Sequence, residues 1–192
     1  VEDIYRPYKP KRKTRASVAI AKGLEPLADI LQAQSKSFVF LEEAEKYIKE
    51  EVPTVEEAVQ GAKDIVAERI SDSAELRKEL REILAEKAFI NCTLLENENN
   101  LTYETYAGFK QEVKNLPSHR ILAINRGEKE KCLKVEVTIE EKLMFDVINH
   151  HFKKNNPDTD TYMEEVIRDS YDRLLFPSLE RELRSNLTDR AD

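Results

Sequence analysis

Apolar residues recur along this chain at spacings of three and four, with Glu, Lys and Arg between them, the pattern of helices that each bury one face. The clearest stripe follows Pro53 and runs through Val55, Ala58, Val59, Ala62, Ile65, Val66 and Ile70. Thr54 stands where a cap belongs, and Glu57, three positions on, completes the signature of a capping box. After a break at 71–73 a second stripe holds Leu76, Leu80, Ile83, Leu84 and Ala88, and so short a connection predicts an αα-hairpin.

Shorter stripes lie upstream. The spacing predicts a helix over 17–22 stopped by Gly23, another carrying Leu24, Leu27, Ala28 and Leu31, and a third carrying Phe40, Ala44, Tyr47 and Ile48. Downstream, Tyr103, Tyr106, Phe109 and Val113 predict a helix whose aromatic residues serve the core. Pro117 and Ser118 then start a capped helix that ends at Gly127. Thr138 with Glu141 offers a second capping box, ahead of Leu143, Met144, Val147, Ile148 and Phe152. Met163, Val166, Ile167, Tyr171 and Leu174 mark a long helix, broken at Pro177 and resumed through Leu179, Leu183 and Leu187.

Two stretches depart from this period. Residues 89–95 are apolar and tolerant of extended backbone, and 132–139 alternate Leu133, Val135 and Val137 with Lys134, Glu136 and Thr138. The fold class is therefore all-α, a multihelical bundle of nine or ten helices with room for one small two-stranded β element. The expected division is a basic extended strap at 1–15, a helical part over 16–127 and a second helical part over 128–192. Opening at Val1, already inside a patterned segment, the chain is expected to be a piece of a longer protein.

The strap changes the electrostatic picture. Pro7 and Pro10 disfavour helix before them, and Arg6, Lys9, Lys11, Arg12, Lys13 and Arg15 are interleaved with Tyr5 and Tyr8. The whole chain carries −7, so these six cations leave −13 for the rest. An acidic body repels a polyanion, which confines any nucleic-acid contact to a local basic segment. Cations and tyrosines together suit phosphates and stacked bases. The alternative is that the strap pairs with the acidic body and pins itself there.

Candidate chemistry is sparse. Gly occurs only at 23, 61, 108 and 127, which leaves no glycine-rich phosphate cradle. His150 and His151 are adjacent and point about 100° apart on a helix, so with His119 they make a poor metal set, and Cys92 and Cys132 read as reduced thiols. No apolar run approaches the roughly 18 residues of a membrane span. We expect no catalytic residue, cofactor or metal, no membrane partner, and a cytoplasmic location.

Several stretches carry a resemblance. Glu2-Asp3, Tyr5, Pro7-Tyr8-Lys9-Pro10-Lys11-Arg12, Thr14-Arg15-Ala16 and Gly23-Leu24-Glu25-Pro26-Leu27-Ala28 resemble the Tex family of bacterial transcription accessory proteins. So do Pro117-Ser118-His119-Arg120, Leu122-Ala123, Arg126-Gly127 and the closing Leu183-Arg184-Ser185-Asn186-Leu187-Thr188. The resemblance implies the N-terminal multihelical region of such a protein, with a helix-turn-helix-like part, lying before a YqgF domain similar to RuvC-type resolvases. It further implies a parent that binds DNA or RNA, with much of the affinity expected from a C-terminal barrel outside this chain. Arg120 and Arg126, at the two ends of one short helix, join the strap cations as candidate nucleic-acid contacts. The alternative partners are the other domains of the parent or the transcription machinery.

Overall fold

The computed structural model describes residues 13–192, which form two compact units. Residues 13–72 and 152–170 make the first unit, and residues 73–151 and 171–192 the second. Four of the six strap cations, Arg6, Lys9, Lys11 and Arg12, lie outside the described residues.

In the first unit, α1 (Arg15–Ala21), α2 (Glu25–Ala33), α3 (Phe40–Glu45) and α8 (Pro157–Asp169) all pack on α4 (Val55–Ser71). The α4 stripe is the reason, since Ala58, Ala62, Ile65, Val66 and Ile70 are all buried. Gly61 lets α1 approach closely, because a Cβ there would collide with the Leu24 side chain and stand 3.2 Å from the Ala19 Cβ. Gly23 turns the chain between α1 and α2 at φ +81°, a backbone region that favours glycine.

α1 begins earlier than its stripe suggests, at Arg15. Thr14 and Ser17 form a full capping box, the Ser17 amide donating to the Thr14 hydroxyl at 3.0 Å and the Thr14 amide to the Ser17 hydroxyl at 2.8 Å. At α4 the Thr54 hydroxyl accepts from the Glu57 amide at 3.2 Å, which is the capping half of the expected box. The third helix stops at Glu45, which leaves Ile48 45% exposed rather than in the core.

Gln34 ties the two parts of this unit together. Held at φ +51° past the end of α2, it donates from Nε2 to the Phe152 carbonyl at 2.6 Å and accepts the Lys154 amide on Oε1 at 2.9 Å. Its own carbonyl accepts from Asn156 Nδ2 at 3.0 Å, and Asn156 caps α8 through the Asp158 amide at 3.1 Å.

The second unit contains α5 (Ala74–Lys87), β1 (Phe89–Leu94), β2 (Lys110–Glu112), α6 (Ser118–Lys129), β3 (Leu133–Thr138), α7 (Glu141–Phe152, up to His151) and α9 (Phe176–Ala191). A π-helical stretch over Ser170–Leu175 precedes α9. Thus α4 and α5, expected as the arms of one hairpin, find their partners in different units, and the break at 71–73 is where the chain passes between them.

The β element has three strands rather than two, in the order β2-β1-β3 and antiparallel throughout. Phe89 pairs with Glu112 on one side and Thr138 on the other. The additional strand comes from the segment expected to be a helix around Phe109. There the backbone forms a 3-10 turn over Asn100–Tyr106, reverses at Gly108 with φ +66°, and pairs along β1. Of that aromatic series Tyr103 is buried as core, while Tyr106 and Phe109 meet edge-on at 5.3 Å between centroids.

Three further expectations are corrected. Thr138 is not adjacent to α7 but ends β3, with two residues between it and the start of that helix at Glu141, and its hydroxyl accepts from Asn91 Nδ2. The start of α6 has no side-chain cap, Pro117 occupying that position. Gly127 is not a stop, because α6 continues through it to Lys129 and uses the missing side chain to seat Leu133.

Candidate nucleic-acid interface

Of the eight candidate cations, four are described. Lys13 and Arg15 open the first unit, at the start of α1, and both are exposed. Arg120 and Arg126 belong to α6 in the second unit. Six positions apart on a helix they are rotated by roughly 120° from one another, so α6 does not present them on one face. The four described residues are therefore not gathered by any single element.

Their pairing is the informative property. Arg69 is held by Asp29 at 2.8 Å and Glu25 at 3.7 Å, Arg81 by Glu182 at 2.5 Å, and Lys153 by Glu164 at 2.8 Å. Among the described residues, no such ion pair is formed by Lys13, Arg15, Arg120 or Arg126. Arg120 instead lies over the Phe109 ring, its guanidinium carbon 5.4 Å from the centroid. Arg126 is exposed near Tyr103, whose hydroxyl donates to Glu130 Oε2 at 2.7 Å. That bond, with burial, raises the phenol above its ordinary range, and the positive charge of Arg126 acts in the opposite sense.

Other titratable groups have structural partners. Arg184 grips Glu128 Oε1 at 2.6 Å and Asn125 Oδ1 at 3.0 Å, beside a cleft lined also by Glu180, Arg181 and Asp189. His151 pairs with Glu79, and the His150 and His151 rings stand 6.0 Å apart at 84°. Cys92 and Cys132 are free and buried on the sheet, and burial pushes the Cys92 thiol up to about 11. Among the described residues no three His, Cys, Asp or Glu side chains converge as a metal set, and no helix is long and apolar enough to cross a membrane.

Sequence reasoning missed one surface. On α9, Leu179, Leu183 and Leu187 line an apolar groove of about 210 Å³ with Leu84 and Val113, rimmed by Arg81, Lys114 and Arg190. Its signal was the stripe after Pro177, in which Leu179 and Leu187 are buried and Leu183 is half-buried.

Comparison with known proteins decides the family. Residues 37–192 match the model of the Tex central region-like family. This chain belongs to the Tex family. It is 40% identical over its whole length to YdcI of Bacillus subtilis, covering 28% of that protein, and 32% identical to the transcriptional accessory protein Tex of Neisseria gonorrhoeae, covering 26%. A human relative, S1 RNA-binding domain-containing protein 1, is 28% identical over the whole chain, which covers 21% of it. The Tex-family chain thus spans about a quarter of the length of the relatives it matches.

Proposed function

We propose that this chain is the non-catalytic helical module of a Tex-like transcription accessory protein, acting in the cytoplasm, and that it contacts nucleic acid through the cations of its opening segment. Arg6, Lys9, Lys11, Arg12, Lys13 and Arg15 form the main contact, and Arg120 and Arg126 a second one. The observation that carries this reading is the state of Lys13 and Arg15. Both are exposed and without an ion pair among the described residues, in a protein of net charge −7 where carboxylates are plentiful. Unpaired cations keep their full attraction for phosphate and release condensed counterions on binding. The names of the Tex and S1 RNA-binding relatives point the same way for their own proteins.

The test is a titration of labelled single-stranded and duplex DNA and RNA at several salt concentrations. Each phosphate contact on a single strand contributes about −0.7 to the slope of log K against log salt. Changing Lys11, Arg12 and Lys13 together to Glu is expected to lower affinity and flatten that slope. Unchanged binding removes the segment from the interface.

The α9 groove favours a second reading, a scaffold that packs against other domains of its parent or the transcription machinery. The apolar floor of the groove fits the apolar face of an amphipathic segment. Changing Leu183 to Lys would then weaken that association without affecting oligonucleotide binding.

A further inference from the structure

With the strand order β2-β1-β3, β3 is an edge of the sheet. Its backbone groups divide by parity, because hydrogen-bonded and non-bonded pairs alternate along an antiparallel ladder. The Cys132 carbonyl accepts the Leu95 amide at 2.9 Å, so Lys134, Glu136 and Thr138, in step with Cys132, turn their backbone groups toward β1. Leu133, Val135 and Val137 turn theirs outward. The Val137 amide accordingly donates away from β1, to Glu180 Oε2 on α9 at 3.0 Å. Such an outward row of amides and carbonyls is a template for a further strand, and among the described residues no strand pairs with it.

The charges beside this edge select the strand that fits. Lys134 and Glu136 flank Val135, with side chains 62% and 52% exposed. An antiparallel copy of β3 centred on Val135 sets Lys134 opposite the copy's Glu136, and Glu136 opposite the copy's Lys134. The same register sets Val135 against Val135 and Leu133 against Val137, the residues whose backbone groups face outward. One alignment therefore satisfies both the hydrogen bonds and the cross-strand charges.

α9 repeats this arrangement. Arg181, Ser185 and Asp189 share a face at i, i+4 and i+8. All three are exposed, and together with Val135 they line a cleft of about 530 Å³. Arg184 in the same cleft is held by Glu128, whereas Arg181 and Asp189 form no ion pair among the described residues. A two-fold axis through Val135 and near Ser185 brings Arg181 of each copy toward Asp189 of the other, with the small Ser185 at the crossing. A cation and an anion equally spaced about a neutral centre meet the demand of an isologous interface, in which one patch must complement itself. Two separate elements meet it around one cleft.

We propose that this chain pairs with a second copy of itself, β3 joining β3 in antiparallel register across Val135, to give one six-stranded sheet with α9 beside α9. The pairing goes beyond the function proposed above and does not depend on it. Glu180 tempers the association. In the pair the copy's Leu133 carbonyl takes the Val137 amide, so the Glu180 carboxylate competes with the copy for that donor.

The test is sedimentation velocity of the full chain over a range of concentrations, with circular dichroism to check that each variant keeps its fold. A reversible dimer is expected for the unchanged protein. Arg181→Asp leaves two anions on the α9 stripe and Asp189→Arg two cations, so each variant alone is expected to associate at least about tenfold more weakly. An equimolar mixture of the two variants restores both opposite pairs and is expected to recover the dimer. Amide exchange at Val135 is expected to slow as concentration rises, and Glu180→Ala to tighten association severalfold.

A monomer at every concentration overturns the proposal and leaves the edge to a strand of a different protein. A dimer indifferent to both charge reversals, or one that mixing fails to recover, places the interface elsewhere and overturns it as well. Unchanged exchange at Val135 in a dimer overturns the strand pairing that defines it, and unchanged or weaker association of Glu180→Ala overturns the competing role of Glu180.

Discussion

A Cβ built on Gly127 would stand 2.5 Å from Cδ1 of Leu133, so the second unit closes α6 onto β3 only because that position has no side chain. The Tyr103 ring, 3.1 Å from the same point, leaves little room for Leu133 to move aside. Alanine would gain about 1 kcal/mol of helix propensity over glycine, but overpacking of a core costs about 1–3 kcal/mol. Gly127→Ala is therefore expected to destabilise by up to about 2 kcal/mol in urea unfolding, and Leu133→Ala in the same chain should recover part of the packing strain. A rise in midpoint for Gly127→Ala alone would contradict the close approach.

Asn156 performs three tasks in the first unit, donating to the carbonyls of Gln34 and Ser35 and capping α8 through the Asp158 amide. Asn156→Ala removes a cap worth about 1 kcal/mol and leaves a buried carbonyl with a poorer partner at about 1–3 kcal/mol. A loss of about 2–4 kcal/mol is expected by chemical denaturation. Asn156→Asp should keep the cap and lose the two donated bonds, falling between the two.

Arg184 holds Glu128 with both prongs of a planar fork, Nη2 to Oε1 at 2.6 Å and Nη1 to Oε2 at 3.3 Å, while Nη2 also donates to Asn125 Oδ1 at 3.0 Å, and its side chain is 19% exposed. Arg184→Lys offers a single point charge that cannot reproduce that geometry. Both Arg184→Lys and Arg184→Ala are expected to lower the melting temperature, the alanine variant more. If lysine restored full stability, the interaction would be one of charge only.

Burial raises both thiols, Cys92 to about 11. A raised acid is favoured in its neutral form by the fold, so its contribution is intact below the ordinary thiol value of 9.0 and is lost as pH climbs toward about 11. Stability is expected to fall across that window, and Cys92→Ser should flatten the fall. A thiol reagent at pH 8 should react slowly with the folded protein and rapidly after unfolding.

Much of this architecture was legible because helices announce themselves by period. The α4 stripe, the Gly23 turn and the Thr54 cap depend on residues within a few positions of each other, which the sequence displays directly. What was hidden depends on partners far along the chain. Gly127 reads as a helix stop until Leu133 is placed against it, and the segment around Phe109 has helical spacing until β1 offers it an edge. Ile48 continues an apolar series but lies beyond the last turn of α3. The candidate interface was legible only as composition, since the exposure and lack of ion pairs at Lys13 and Arg15 are properties of three-dimensional surroundings.

The bonds from Gln34 to Phe152, Lys154 and Asn156 span 118 to 122 positions, and they fix an order of events during biosynthesis. As the ribosome delivers this polypeptide, α1 to α4 emerge with an unfilled wall and must wait until α8 leaves the exit tunnel, after the intervening stretch of the second unit has been made. The waiting apolar stripe is a natural client for a chaperone, and truncations ending before residue 170 should yield insoluble product however well their individual helices form.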